Sequence, residues 1–213
     1  MPCGTTPAKP LTGTDRFSGS ALGHEWEWNH NPDNTKWSAG GQLTLQTATV
    51  TNDLYQARNT LTRRILGPTS TATIELDYST MRDGDMAGLA LFRDSSAWIG
   101  IKRASGGYRV AMVNNLTMDA RWNTVGMGTE VAGANVSGSK IWLRIAADIR
   151  PGANRQGRFF YSTDGTQFTQ LGTAFTLKNA WEFFMGYRYG IFNYATQALG
   201  GSVKVASFTL ATP

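Results

Sequence analysis

Apolar and polar residues alternate with a period of two along most of this chain, the repeat of a strand with one buried and one wet face. Segments 43–50 (LTLQTATV), 71–78 (TATIELDY), 87–92 (AGLALF), 97–103 (AWIGIKR), 108–113 (YRVAMV), 141–149 (IWLRIAADI), 158–162 (RFFYS) and 202–210 (SVKVASFTL) all read as strands. Turn chemistry separates them at Arg82-Asp83-Gly84-Asp85, Ser105-Gly106-Gly107, Asp164-Gly165 and Gly200-Gly201. In YSTDGTQF, residues 161–168, the Asp-Gly pair predicts a hairpin with a type I′ turn. The pattern contains neither a long helix nor a tandem repeat.

Strands at this spacing predict an all-β fold, two antiparallel sheets packed face to face. The pleat sorts their side chains. Ile99 and Ile101 point into the core with Trp98 and Lys102 outside; Ile141, Leu143, Ile145, Ala147 and Ile149 point in with Trp142, Arg144 and Asp148 outside. Trp98, Trp142, Arg144 and Arg188 are therefore expected at solvent, and a one-residue slip would reverse every such assignment. His24, Trp26, Trp28 and His30 share one face of a further extended segment, opposite Glu25, Glu27 and Asn29.

At 213 residues and 41% hydrophobic content, the chain suits one large β-domain with an ample core. Residues 1–14, rich in Pro, Thr and Gly, read as a linker, and 15–213 as a single sandwich. The net charge of +5 comes without a dense basic run beyond Thr62-Arg63-Arg64, so nucleic acid is not an expected partner. No apolar stretch approaches the ~18 residues of a membrane span. Cys3 is the lone cysteine, which excludes an intramolecular disulfide and a Cys-based zinc site. Followed by Gly-Thr-Thr-Pro, it fits a linker residue better than a lipidated one left after signal removal. An exported or cell-surface protein would carry its signal on a longer precursor. Sequons at Asn115-Leu116-Thr117 and Asn135-Val136-Ser137 matter only in a eukaryotic secretory host.

Catalytic chemistry is thinly represented. Glycoside hydrolysis needs two carboxyls about 5 Å or about 6.5–9.5 Å apart. Glu25/Glu27 and Glu75/Asp77 have the spacing of neighbours on one strand face, which surface acids on an amphipathic strand also show. His24 and His30 are too few to argue a triad, and no HExxH, P-loop or strand-linked GxGxxG occurs. Asp83, Asp85 and Asp94 are candidate oxygen ligands for a structural calcium ion, against the commoner role of Asp in turns; no cofactor is otherwise required.

Binding chemistry is richer. Residues 181–210 (WEFFMGYRYGIFNYATQALGGSVKVASFTL) hold eight aromatic side chains. Sugars present apolar CH faces and dense hydroxyls, so their sites combine flat aromatics with Arg, Asn and Asp. Such types group at Trp26, Trp28, Asn29, Asn31 and Trp37, at Arg58 and Asn59, and at Tyr187–Tyr194. Trp26 and Trp28 favour packing, whereas 187–194 reads as a functional loop, since burying so many polar and aromatic groups together is costly. Arg58, Asn59, Trp98, Arg188 and Asn193 are the candidate polar or stacking contacts, with Tyr187 and Tyr189 as walls.

GHEWEWNHNPDNTKWS, ARNTLTRRILGPTSTATIELD, GDMAGLALF, AWIGIKR and RYGIFNYATQALGGSVKV together resemble the C-terminal concanavalin A-like sandwich of family 43 glycoside hydrolases, the β-xylosidase and α-L-arabinofuranosidase group. The likeness runs from about Phe17 to Leu210. It implies a jelly roll of two curved sheets behind a five-bladed propeller, in the same or a partner chain, that holds the catalytic acids. Two roles follow from it: binding of xylan, or bracing of the propeller with a loop aromatic that closes its pocket, for which Phe192 is the candidate. The ending VKVASFTL is less acidic and aromatic than the commonest β-xylosidase version, which weakens transfer of that aromatic. The expectation is a noncatalytic module recognising plant cell-wall polysaccharide or its oligosaccharides, first xylan or arabinoxylan. A docking domain without free sugar binding is the alternative, and an autonomous sandwich glycosidase or lyase the second.

Overall fold

The computed structural model describes residues 10–152, 155–181 and 186–213, so Cys3 and the aromatic run 182–185 lie outside the described residues. Sixteen strands carry this part of the chain: β1 (Gly13–Asp15), β2 (Trp26–Trp28), β3 (Trp37–Ala39), β4 (Leu43–Gln46), β5 (Leu61–Arg64), β6 (Thr69–Asp77), β7 (Asp85–Phe92), β8 (Ser95–Ala104), β9 (Gly107–Met118), β10 (Thr124–Val136), β11 (Lys140–Asp148), β12 (Gln156–Ser162), β13 (Thr169–Gln170), β14 (Phe175–Thr176), β15 (Arg188–Ala195) and β16 (Ser202–Ala211). Sheet A runs β13-β12-β11-β6-β16-β4-β3, with β1 added on β16 and β14 on β12. Sheet B runs β10-β9-β8-β7-β15-β5-β2. The expected two-sheet antiparallel sandwich is present. A single 3₁₀ turn, Leu54–Gln56, is the helical element among the described residues.

Sheet A obeys the alternation. Along β6 and β11 buried and half-exposed residues take turns without a break, and Trp142 opposite Glu75 and Arg144 opposite Thr73 stand on the outer face. Their partners Ile141, Leu143, Ile145 and Ala147 enter the core, as do Ile99 and Ile101 of β8. Trp26 also turns inward, its ring 4.9 Å from that of Phe208, and Trp28 packs on Trp37 at 5.2 Å. One local forecast differs in detail. The type I′ geometry belongs to Ser105-Gly106, both at positive φ, closing a two-residue loop between paired Ala104 and Gly107. At 162–168 only Gly165 has positive φ; the hairpin between β12 and β13 is longer and is tied by Asp164.

Sheet B departs from the alternation because both of its faces are covered. Its outer face carries Ala90, Phe92, Trp98, Ala111, Val113, Leu116, Phe192 and Tyr194, roofed by Leu54, Tyr55 and Ala57. The roof is residues 47–60. The strand expected over 43–50 ends at Gln46, and the chain crosses instead to sheet B, bridging Val50 to Ala195. Asp53 caps the 3₁₀ turn by accepting the Tyr55 amide at 2.9 Å, and the Tyr55 hydroxyl reaches the Leu116 carbonyl at 3.0 Å. Residues 187–194, expected as a loop, are almost entirely strand β15, buried along its whole length in the middle of sheet B. A strand buried on both faces loses the polar positions by which alternation is recognised.

Truncating this roof should therefore unfold the domain rather than trim its surface. Leu54→Ala is expected to lose about 2–5 kcal/mol and Trp98→Ala about 3–5 kcal/mol in equilibrium denaturation. Wild-type midpoints for both would contradict the two-layered packing of sheet B.

Candidate functional site

Burial decides the fate of the candidate sugar contacts. Trp98, 2% exposed, leaves the sandwich core as expected but stacks edge-on against Phe192 at 5.4 Å under the roof, so its ring has no face left for a ligand. Phe192 is itself fully buried and is no pocket-closing aromatic. Tyr189 points into the core and hydrogen-bonds Ser70, and Asn193 donates to the Leu45 carbonyl at 2.8 Å. Asn59 is spent on Asp33, accepting its amide at 2.8 Å and donating to its carbonyl at 3.0 Å. Arg188, expected at solvent, is buried between Glu27 and the Thr62 hydroxyl. Tyr187 is buried too, whereas Arg58 stays exposed, donating to the Asn31 carbonyl at 2.9 Å. The eight residues do not converge on one open surface; the sheet that carries most of them is closed.

The acid pairs are likewise engaged. Glu25 faces Arg63 at 4.0 Å, Glu27 lies between Arg64 at 3.4 Å and Arg188, and Glu75 meets Lys140 at 3.2 Å. Asp77 takes the amide and hydroxyl of Ser79 at 2.9 and 2.6 Å. Each of these carboxylates is thus already held by a partner within the module. The calcium candidates sit at opposite ends of β7 with separate tasks. Asp83 pairs with Arg103 at 3.0 Å, Asp85 accepts the Arg82 amide at 2.7 Å, and Asp94 joins Arg93 and Lys178. Among the described residues no group of three or more His, Cys, Asp or Glu is placed to hold a metal ion.

Two places remain where chemistry is concentrated. The first is the end of the sandwich where β7 turns into β8. Arg93, 4% exposed, approaches Asp94 at 3.5 Å, donates to the carbonyls of Lys178 and Ala180, and lies 5.7 Å from the Tyr187 ring centre. Lys178 closes the circuit: its ammonium pairs with Asp94 and its amide donates to the Tyr187 hydroxyl at 2.9 Å. Burial pushes the Tyr187 phenol up to about 12, so it stays neutral in this network. The segment so fixed, residues 178–180, borders a depression of about 230 Å³ together with Ile65, Arg155 and Leu177, and is followed by Trp181, 77% exposed. The tie of Arg93 to Lys178, 85 positions away in the chain, has no local signal in the sequence.

The second is the lateral seam where the free edge of β10 in sheet B meets the β12–β13 edge of sheet A. A groove of about 460 Å³ opens there between residues 135–137 and 161–169. Alternation missed β10, since Gly126, Gly128 and Gly133 interrupt its pattern.

The family model for the β-xylosidase C-terminal concanavalin A-like domain matches residues 14–211. This chain belongs to that family. The family is the C-terminal module of β-xylosidase and arabinofuranosidase enzymes of glycoside hydrolase family 43. A β-xylosidase of Formosa agariphila is 29% identical over 219 residues, 92% of this chain and 34% of the relative. The solved structure of a family 43 glycoside hydrolase, engineered at its active site to display endo-xylanase and exo-arabinofuranosidase activity, superposes with a TM-score of 0.94 at 43% identity, over 99% of this chain and 42% of that one. A bifunctional GH43-CE protein of Bacteroides eggerthii superposes with a TM-score of 0.84 at 33% identity, over 94% and 26% of the two chains. The concanavalin A-like module thus spans about a third of the length of the curated relatives it matches.

Two outcomes follow from the buried charges of this module. Arg93→Met keeps bulk but removes the donors to Lys178 and Ala180 and one partner of Asp94. A loss of about 3 kcal/mol is expected in urea unfolding, and wild-type stability would refute the role given to the network. Asp85 has an orphaned buried oxygen, and burial raises its pKa. Stability from a raised acid is full below the ordinary aspartate range and is lost as pH rises through the folded pKa. D85N, which cannot ionise, should gain on wild type from about pH 4 upward; parallel stability curves from acid to neutral pH would contradict this.

Proposed function

We propose that this chain is a noncatalytic accessory module that docks onto a family 43 catalytic propeller, in the same or a partner chain, through the end of the sandwich organised by Arg93. The carrying observation is the buried Arg93–Asp94 pair that also ties down the Lys178 and Ala180 carbonyls, next in the chain to Trp181, 77% exposed. Tryptophan is a frequent energetic centre of interfaces. The ion pairs that engage Glu25, Glu27 and Glu75 support the noncatalytic part of the reading, as does the share of its relatives that the module covers. Trp181→Ala should leave the melting temperature of the isolated chain unchanged. In calorimetric titration with a separately produced family 43 propeller it should weaken association by at least about 2 kcal/mol. Equal affinity of the two forms would remove this end of the sandwich as the docking surface.

A second reading is favoured by the seam groove: retention of the enzyme on plant cell-wall polysaccharide, xylan or arabinoxylan first. Native gels cast with xylan, arabinoxylan, mixed-linkage glucan, xyloglucan or pectin test it. Selective retardation supports it, and equal mobility in every gel rules it out. Weak binding is expected, since an open groove leaves much of a ligand hydrated and association still costs lost freedom.

A further inference from the structure

The geometry points to the seam groove between β10 and β12–β13 as a binding site for a neutral, hydroxyl-rich glycan chain, a site separate from the surfaces to which the sequence assigned sugar contacts. This inference rests on the reading of the module as a polysaccharide-retaining one. Its volume of about 460 Å³ falls within the roughly 300–1,000 Å³ typical of small-molecule sites. Tyr161 and Val136, both partly buried against the core, supply an apolar floor on which the CH face of a sugar ring can rest. Hydroxyls of Ser137, Thr163 and Thr169 and the Gln167 amide surround that floor, and all four residues are exposed.

Asp164 gives the groove its one charge. Its carboxylate accepts the Gln167 amide at 2.9 Å, the Thr166 amide at 2.8 Å and the Ser162 hydroxyl at 2.7 Å, which fixes the loop and holds the group well below the usual carboxylate range. A permanently ionised acceptor makes strong hydrogen bonds to sugar hydroxyls. No Lys or Arg is among the lining residues, and Arg109, which reaches Asn135 at the rim at 3.4 Å, is already paired with Glu130 at 2.7 Å. Neutral glycans are therefore favoured and uronate-rich polymers such as pectin disfavoured, despite the basic net charge of the whole chain.

Affinity electrophoresis in arabinoxylan, xyloglucan and pectin gels tests the assignment with wild type, Q167A and S137W, each checked by thermal melting. Both substitutions fall at exposed positions; the first removes a hydrogen-bonding group and the second fills the groove. The expected result is retardation of wild type in a neutral polymer but not in pectin, a several-fold weaker retention for Q167A, and none for S137W, with unchanged melting. Retardation of all three proteins alike would overturn the groove while leaving polysaccharide retention standing. Stronger retardation in pectin would overturn the neutral-glycan assignment. No retardation of wild type in any gel would overturn both the groove and the reading beneath it.

Discussion

The structure depends on one constraint: sheet B has to bury two faces, and among the described residues the irregular segment 47–60 roofs the outer one. Sheet A solves the usual problem of a sandwich sheet, apolar toward the core and polar toward water. Sheet B cannot, because Phe92, Trp98, Phe192 and Tyr194 project away from the core and would expose several aromatic surfaces at once. The roof of Leu54, Tyr55 and Ala57 removes them from water. Tyr55 pins it with hydrogen bonds to Ser96 and Leu116, both at 3.0 Å.

Function is displaced by that closure. A curved sheet lined with tryptophan, tyrosine and arginine looks like a platform for sugars, yet here the aromatics are mortar between sheet and roof. Chemistry is left to the margins, the Arg93 end and the lateral seam, where strands terminate and edges stay unpaired. The margins are still mechanically coupled to the interior. The Ser96 hydroxyl that receives Tyr55 also donates to the Arg93 carbonyl at 2.6 Å, so the roof and the loop before β15 share one turn.

Tight backbone packing sets further limits. At Gly201 a methyl group would fall 1.6 Å from an Asp85 carboxylate oxygen, so the turn into β16 and the start of β7 tolerate no side chain there. Glu130 shows the complementary case at a surface, drawing Lys102 and Arg109 to 2.8 and 2.7 Å across the β8–β9–β10 edge of sheet B. There the charges organise an exposed rim and add little stability of their own.

The sequence by itself determined the fold class and which residues of the half-exposed strands of sheet A face the core. Each rests on a pattern confined to a few neighbouring residues: alternation in β6 and β11, or Gly-containing turns between strands. Five motifs spread over residues 23–205 were enough to show the family resemblance. What the sequence could not settle was the surroundings of a side chain once it had left the core. Alternation sent Trp98 to the outer face correctly, but whether that face met water depended on Leu54 and Tyr55, some forty residues earlier in the chain. The same holds for Arg188, whose burial needs Glu27 and Thr62, and for the groove, which exists only where two sheet edges meet. Period-two patterning reports which side of a sheet a residue occupies; only tertiary packing decides what lies on that side, because exposure belongs to the assembled layers and not to the strand.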